Sequence, residues 1–203
     1  MTFETLRLYR KLDDGNSRTF TTAEPNEEIK YIFKTVAESN QLRSENYVID
    51  SKDIKENTLC YTVTMVEDDP VLASLAWQRP MYNGIIRLCT RYCIDPKYKL
   101  KNFGKGTDGM RLDTMDHIIQ QMEFCKERGY SDFFIGREDK SSGRRSRKIA
   151  KMISIYTSEE WKVSDEPRLV TPNPNNPHAW QYIIYNQRED FDYKDILSVR
   201  GDK

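Results

Sequence analysis

The segment KNFGKGTDGMRLDTMDHIIQQM, residues 101–122, places Gly104 and Gly106 directly before a stretch with the apolar spacing of a long amphipathic helix, which Gly129 can end. The first four amides of a helix have no partner within it and lie at the positive end of its dipole, so they can bind phosphate oxygens. Glycine lets a ligand approach this backbone closely. The same two glycines can also form a tight turn with positive φ and no ligand. The strands predicted on both sides favour the phosphate site.

Short strands are predicted before and after this segment. LCYTVTMV (59–66), VLASLAWQ (71–78) and GIIRLCTRYCI (84–94) are rich in β-branched and aromatic residues and are separated by turn residues. This pattern predicts an antiparallel meander. SDFFIG (131–136) follows the predicted helix. A helical crossover of this length joins parallel strands, so we expect SDFFIG to lie parallel to the strand before the helix.

The rest of the chain predicts further helices and strands around this centre. Asn26 can cap one helix, and Ser141 or Ser142 can cap another. Residues 1–190 are predicted to form one domain, and residues 191–203 a charged tail that frays. The further elements are a strand at 5–12, helices within 26–40 and 141–156, and two strands within 159–170 and 178–187.

Composition narrows the classes of function. Lys plus Arg equals Asp plus Glu at 32 each, so there is no net charge to attract nucleic acid or an anionic membrane. No apolar run reaches the roughly 18 residues of a membrane span, and we expect a soluble cytoplasmic protein. The four cysteines are expected to be reduced thiols. The two histidines, His117 and His178, are far apart in sequence and support neither a metal site nor a Ser-His-Asp triad.

Three motifs resemble those of the GNAT N-acetyltransferase superfamily, as does the order of the predicted elements. YCIDPKY (92–98) is similar to the hydrophobic-x-hydrophobic-x-Pro-x-Tyr end of the family's fourth strand. KNFGKG (101–106) is similar to its Gln/Arg-x-x-Gly-x-Gly/Ala pyrophosphate loop, with Lys101 in place of Gln or Arg. Tyr156 to Trp161 keeps the spacing of its Tyr-x-x-x-Gly-Phe, without the glycine. The composition also resembles that of small GNAT-like proteins in large phage genomes.

The resemblance implies an α/β fold with a central mixed, mostly antiparallel sheet of about seven strands, flanked by helices and splayed between the fourth and fifth strands. It also implies acetyl-coenzyme A as the acyl donor; because the two histidines are isolated, no metal is expected. The pyrophosphate would bind the glycine loop, and the pantetheine would pair with the fourth strand like an added strand. The residues implied to bind coenzyme A are Tyr92, Cys93, Ile94, Lys101, Phe103, Gly104, Lys105, Gly106 and Thr107.

The resemblance suggests one catalytic residue, Tyr156, and the sequence itself offers further candidates for the site. Tyr156 occupies the position of the tyrosine that protonates the departing thiolate, although it could instead anchor a helix end in the core. Glu138 is a candidate base, although surface glutamates are usually only solvated. Arg87 and Arg91 share a strand face and could bind an acceptor that carries a carboxylate or phosphate. On a solvent-facing surface, or one packed against the first helix, they would be ordinary ion-pair partners.

The predicted function is therefore transfer of an acetyl group from acetyl-coenzyme A to a primary amine of a small molecule or protein, by direct attack in a ternary complex. The alternative is a catalytically inactive GNAT-fold binding protein. Residues 144–151 form the one concentrated basic stretch. These residues could contact nucleic acid, but the absence of aromatic residues there favours a solvated helix face.

Overall fold

The computed structural model describes residues 17–39, 52–66, 69–88, 93–94, 112–171, 173–175 and 179–196. The strands are β1 (Ser17–Thr22), β2 (Thr58–Val66), β3 (Asp69–Trp77), β4 (Ile86–Arg87), β5 (Cys93–Ile94), β6 (Phe133–Arg137), β7 (Trp161–Val163), β8 (Arg168–Leu169) and β9 (Trp180–Asn186). The α-helices are α1 (Glu27–Ser39), α2 (Lys52–Asn57), α3 (Leu112–Lys126) and α4 (Arg144–Thr157). Short 3-10 helices cover Pro80–Tyr82 and Tyr193–Asp195.

Backbone packing divides the chain into two compact units. The first comprises Met1–Trp77 and Leu88–Gly129, and the second comprises Gln78–Arg87 and Tyr130–Lys203. Each unit therefore combines two separate stretches of the chain. The organisation of residues 1–190 as one domain stays a prediction.

The first unit contains the predicted antiparallel pair of β2 and β3 and, beside β2, the strand β1, which the sequence did not predict. β1 pairs with β2, and β2 pairs with β3, with Thr62 opposite Ser74. The predicted cap of α1 is confirmed, because the Asn26 side-chain oxygen accepts a hydrogen bond from the Ile29 amide at 2.9 Å. The buried face of α1 includes Phe33, whose ring contacts that of Tyr61 edge to face at 5.7 Å between centroids. The predicted strand at 5–12 lies outside the described residues.

The second unit contains the predicted parallel pair. β4 runs parallel to β6, with Ile86 opposite Phe133, and the Ile86 amide donates to the Asp132 carbonyl at 2.9 Å. β6 is antiparallel to β9, and β9 is antiparallel to both β7 and β8. This sheet is mixed and mostly antiparallel, as predicted.

The strand predicted at 84–94 differs from the structure. It is divided into β4, which pairs with β6 in the second unit, and β5, which pairs antiparallel with β3 in the first. Residues 89–92, between these two pieces, lie outside the described part of the chain.

The start of α4 also differs from the prediction, because neither Ser141 nor Ser142 caps it. Gly143 precedes the helix with φ of 77°. The Asp139 carboxylate accepts the Ser146 amide at 2.7 Å and both the amide and the hydroxyl of Ser141. Burial alone would raise the pKa of Asp139, but these hydrogen bonds outweigh it and hold the pKa well below its ordinary value. A carboxylate therefore stabilises the start of α4.

The predicted charged tail is packed over its first six residues, 191–196. Phe191 and Ile196 are buried, and the Arg168 guanidinium donates to the Lys194 carbonyl at 3.1 Å. These apolar residues among charged ones account for the difference, because they have apolar surface to bury. Within the residues that the structure describes, no helix combines the length and apolar character needed to cross a bilayer.

Candidate functional site

The predicted pantetheine-binding strand is described only at Cys93 and Ile94, which form β5. One edge of β5 pairs with β3, where Ala73 lies opposite Cys93. In the described part of the chain, β3 is the only strand that pairs with β5. An extended ligand that pairs with the other edge of β5 would bind as an added strand does. The other predicted coenzyme A residues lie outside the described part: Tyr92, Lys101, Phe103, Gly104, Lys105, Gly106 and Thr107.

Tyr156 lies in the last turn of α4. Its side chain is half-buried and is not part of the core. Its hydroxyl makes no hydrogen bond to the residues described. This position leaves the phenol free to donate to an incoming group. Its assignment as the acid stays a prediction.

Glu138 follows β6 directly and is exposed, in the same unit as Tyr156. An exposed glutamate at this position can exchange protons with solvent, which a base must do after each reaction. The same exposure is typical of a solvated glutamate with no role in catalysis.

Arg87 is in the core of the second unit, with 6% of its surface exposed. Its guanidinium donates to the Tyr82 hydroxyl at 3.1 Å and to the Gln181 side-chain oxygen at 2.8 Å, and it lies 5.9 Å from the Phe134 ring centroid. The absence of Cβ at Gly136 makes room for this arrangement, since a Cβ there would overlap the Gln181 oxygen. Arg87 is therefore held by neutral partners and not by an ion pair within the described residues. Arg91 lies outside them.

A buried polar network in the first unit was missed by sequence reasoning. His117 on α3 is fully buried and forms hydrogen bonds with the Thr64 hydroxyl at 2.8 Å and the Ser74 hydroxyl at 2.6 Å. Gln121, one helical turn later, donates to the Ser74 hydroxyl at 3.2 Å and the Thr62 hydroxyl at 3.3 Å. The alternation of threonines along β2 and the four-residue spacing on α3 were the available signals.

This network contains a serine hydrogen-bonded to a histidine, which is the contact between nucleophile and base in many hydrolases. Ser74 is only 1% exposed, and the Thr64 hydroxyl contacts the other histidine nitrogen. A buried serine offers no access to substrate. The network therefore stabilises the packing of α3 on its sheet, as satisfied buried networks do.

The basic residues of α4 are all exposed, while Ser146, Ile149, Ala150 and Ile153 form its buried face. This arrangement agrees with the prediction of a solvated face. The exposed basic residues are Arg144, Arg145, Arg147, Lys148 and Lys151.

The described side chains include no cluster of histidine, cysteine or carboxylate groups that could hold a metal ion. Cys60 and Cys125 are free, buried thiols with their sulfur atoms 3.9 Å apart. The reduced state of the four cysteines stays a prediction.

Comparison with known proteins identifies the fold. No protein-family model and no curated protein matches the sequence. Solved structures do match, including a GNAT-family protein from Desulfovibrio desulfuricans, with 9% identity, 85% of this chain and 98% of that chain covered, and a TM-score of 0.51. Another is diaminobutyrate acetyltransferase from Paenibacillus lautus, solved with L-2,4-diaminobutyric acid and coenzyme A, with 11% identity, 84% and 95% coverage, and a TM-score of 0.50. This chain therefore has the fold of the GNAT N-acetyltransferase superfamily.

Proposed function

We propose that this chain is an acyl-coenzyme A-dependent N-acyltransferase that transfers acetyl to a primary amine by direct attack in a ternary complex. The observation that carries the proposal is the edge of β5 that no described strand pairs with, because a pantetheine chain can bind there. In the sequence, the glycine pair follows β5 by about ten residues.

Different residues would bind different parts of acetyl-coenzyme A. The backbone of residues 92–94 would pair with the pantetheine, and the amides of residues 103–107 would bind the pyrophosphate. Lys101 and Lys105 would add positive charge. Bound acetyl-coenzyme A supplies an acetyl group activated as a thioester.

Tyr156 and Glu138 would move the protons of the reaction. Glu138 would accept a proton from the acceptor amine, so that the nitrogen lone pair can form the new bond to the acetyl carbon. Tyr156 would donate its hydroxyl proton to the sulfur as the carbon–sulfur bond breaks. The half-buried, unpaired hydroxyl of Tyr156 supports this role.

Arg87 and Arg91 would select an acceptor that carries a carboxylate or phosphate. At Arg87, whose guanidinium is buried and already donates to Tyr82 and Gln181, this role would require the acceptor to reach a buried side chain. L-2,4-diaminobutyric acid, which one structural neighbour binds as its substrate, carries both an amine and a carboxylate and is a suitable first acceptor to test.

The experiment compares Tyr156→Phe with the wild type. We expect acetyl-coenzyme A to bind equally well, while kcat for amine acetylation falls about 100-fold, since general acids typically contribute that much or more. Thiol release with a panel of primary amines measures the rate, and isothermal titration measures donor binding. Tyr31→Phe, which changes an exposed tyrosine on α1, is the matched control and should leave both unchanged.

Equal turnover in Tyr156→Phe and the wild type would exclude Tyr156 as the acid. Donor binding without acetylation of any amine in the panel would favour the alternative function, a GNAT-fold binding protein without catalysis.

A further inference from the structure

A groove with a volume of about 560 Å³ lies between α4 and β7 in the second unit. Its charged lining consists of Arg147, Lys151 and Lys162, and no carboxylate is among the described residues that line it. Glu160 lies nearby and pairs with Lys162 at 3.5 Å, but both side chains are about half exposed or more, so their attraction is weak. The groove therefore favours an acidic occupant.

The same groove has an apolar component. Ile155 lines it and is 63% exposed, which is unusual for a large apolar side chain on α4. Trp161 also lines it, although its side chain is only 5% exposed and its indole N–H is buried. A ligand with both apolar groups and acceptor oxygens would match this surface.

The backbone edge of β7 borders the groove. The Glu160 carbonyl accepts from the Gln187 amide at 2.8 Å, and the Ser164 amide donates to the Ile183 carbonyl at 2.9 Å. Because backbone direction alternates along a strand, the amide and carbonyl of Val163 face away from β9. β7 is the last strand in the sheet order of the described residues. The Trp161 amide also faces away from β9 and donates to the Ser154 hydroxyl at 2.9 Å, so the amide and carbonyl of Val163 are the groups of this edge that can pair with one more strand.

We propose that the groove binds an acidic polypeptide segment in extended conformation, which adds a strand to β7 and places its carboxylates against Arg147, Lys151 and Lys162. The added strand would pair with the open edge of β7, and the cations would select a peptide with an acidic sequence. A nucleic acid fits less well, because Trp161, the aromatic residue of the groove, is only 5% exposed and offers no free face for stacking. None of the residues proposed for acyl transfer lines the groove.

The test uses fluorescence anisotropy with a labelled hexapeptide of alternating glutamate and valine. We expect it to bind more tightly than a lysine–valine hexapeptide or a hexamer of deoxythymidine. The double variant Lys151→Glu/Lys162→Glu should weaken binding at least fivefold. Arg144→Glu/Arg145→Glu makes the same charge change on α4 outside the groove and should weaken it less than twofold. Thermal unfolding checks that both variants are folded.

Methylation of alternate peptide amides, made in both registers, tests the backbone pairing. At least one of the two methylated peptides should lose binding, because its N–H groups that face β7 can no longer donate hydrogen bonds to that strand. Equal binding by the lysine–valine peptide, equal effects of the two double variants, or no binding at millimolar peptide would overturn the proposal. Preferred binding of the deoxythymidine hexamer, lost in Arg144→Glu/Arg145→Glu, would overturn it in favour of nucleic acid.

Discussion

The two units bury polar side chains in different ways. Beneath α3 in the first unit, His117, Ser74 and Thr64 form a network of groups that can each donate and accept, so their hydrogens can be redistributed. In the second unit, Arg87 buries a cation that can only donate, and its acceptors are fixed at Tyr82 and Gln181. We infer that the network in the first unit depends on one central residue, His117. The Arg87 site in the second unit depends on the space around the acceptor groups.

The largest expected effect on stability comes from removing the hub of the first network. His117→Leu keeps the volume but deprives the Ser74 and Thr64 hydroxyls of a buried partner, so we expect a loss of about 2–4 kcal/mol in the free energy of unfolding. Urea unfolding measures it. Glu123→Gln, at a half-exposed position of the same helix, should change stability by less than about 0.5 kcal/mol. A similar, small effect in both variants would show that the network contributes little.

The second unit should be destabilised when the space beside the Gln181 side chain is filled. Gly136→Ala places a methyl group against the Gln181 oxygen that holds Arg87, and overpacking of this kind costs about 1–3 kcal/mol. Gln181→Ala should also destabilise the protein, because Arg87 loses an acceptor.

A double-mutant cycle sharpens this test. Gly136→Ala and Gln181→Ala together should cost less than the sum of the single changes, because removal of Gln181 also removes the overlap. Additive costs in urea unfolding would mean that the two residues act independently.

Prediction from sequence succeeded where the local residue pattern determines the structure. It failed where the structure depends on contacts between residues far apart in the sequence. The Asn26 cap, the β2–β3 pair and the parallel pairing of β4 with β6 follow from local spacing and connection length. Burial of His117 and Gln121 on α3 depends on hydroxyl groups of β2 and β3. The hydropathy pattern of the helix gives no information about these partners.

The candidate site divides in the same way. Tyr156 was assigned by motif spacing; its side chain is half-buried in the last turn of α4, and its role stays a prediction. The burial of Arg87 was not predictable, because it depends on Gln181, 94 residues away in sequence. The cap of α4 was placed on the adjacent serines, whereas Asp139 supplies it from the preceding loop.

The smallest effect concerns that cap. Asp139→Ala should lower stability by about 1 kcal/mol at neutral pH, because the Ser141 and Ser146 amides lose their acceptor. The folded pKa of Asp139 lies below the ordinary value of 3.8, so its stabilisation is present above that pH and is lost as the pH falls through the folded pKa. Urea unfolding of both proteins from neutral to strongly acidic pH should show the difference shrinking below 3.8. A difference that is constant with pH would contradict this assignment.

The measurement that tests the proposed function most directly is thermal unfolding with and without acetyl-coenzyme A. At 100 times its dissociation constant, the ligand should add about 2.7 kcal/mol to the free energy of unfolding. Gly106→Trp should abolish this gain, because its side chain would occupy the proposed pyrophosphate site, while Asn175→Trp, at an exposed turn, should retain it. An upward shift of Tm in the wild type and Asn175→Trp, absent from Gly106→Trp, is the predicted result. No shift in the wild type at millimolar ligand would contradict the proposal that this chain binds acetyl-coenzyme A.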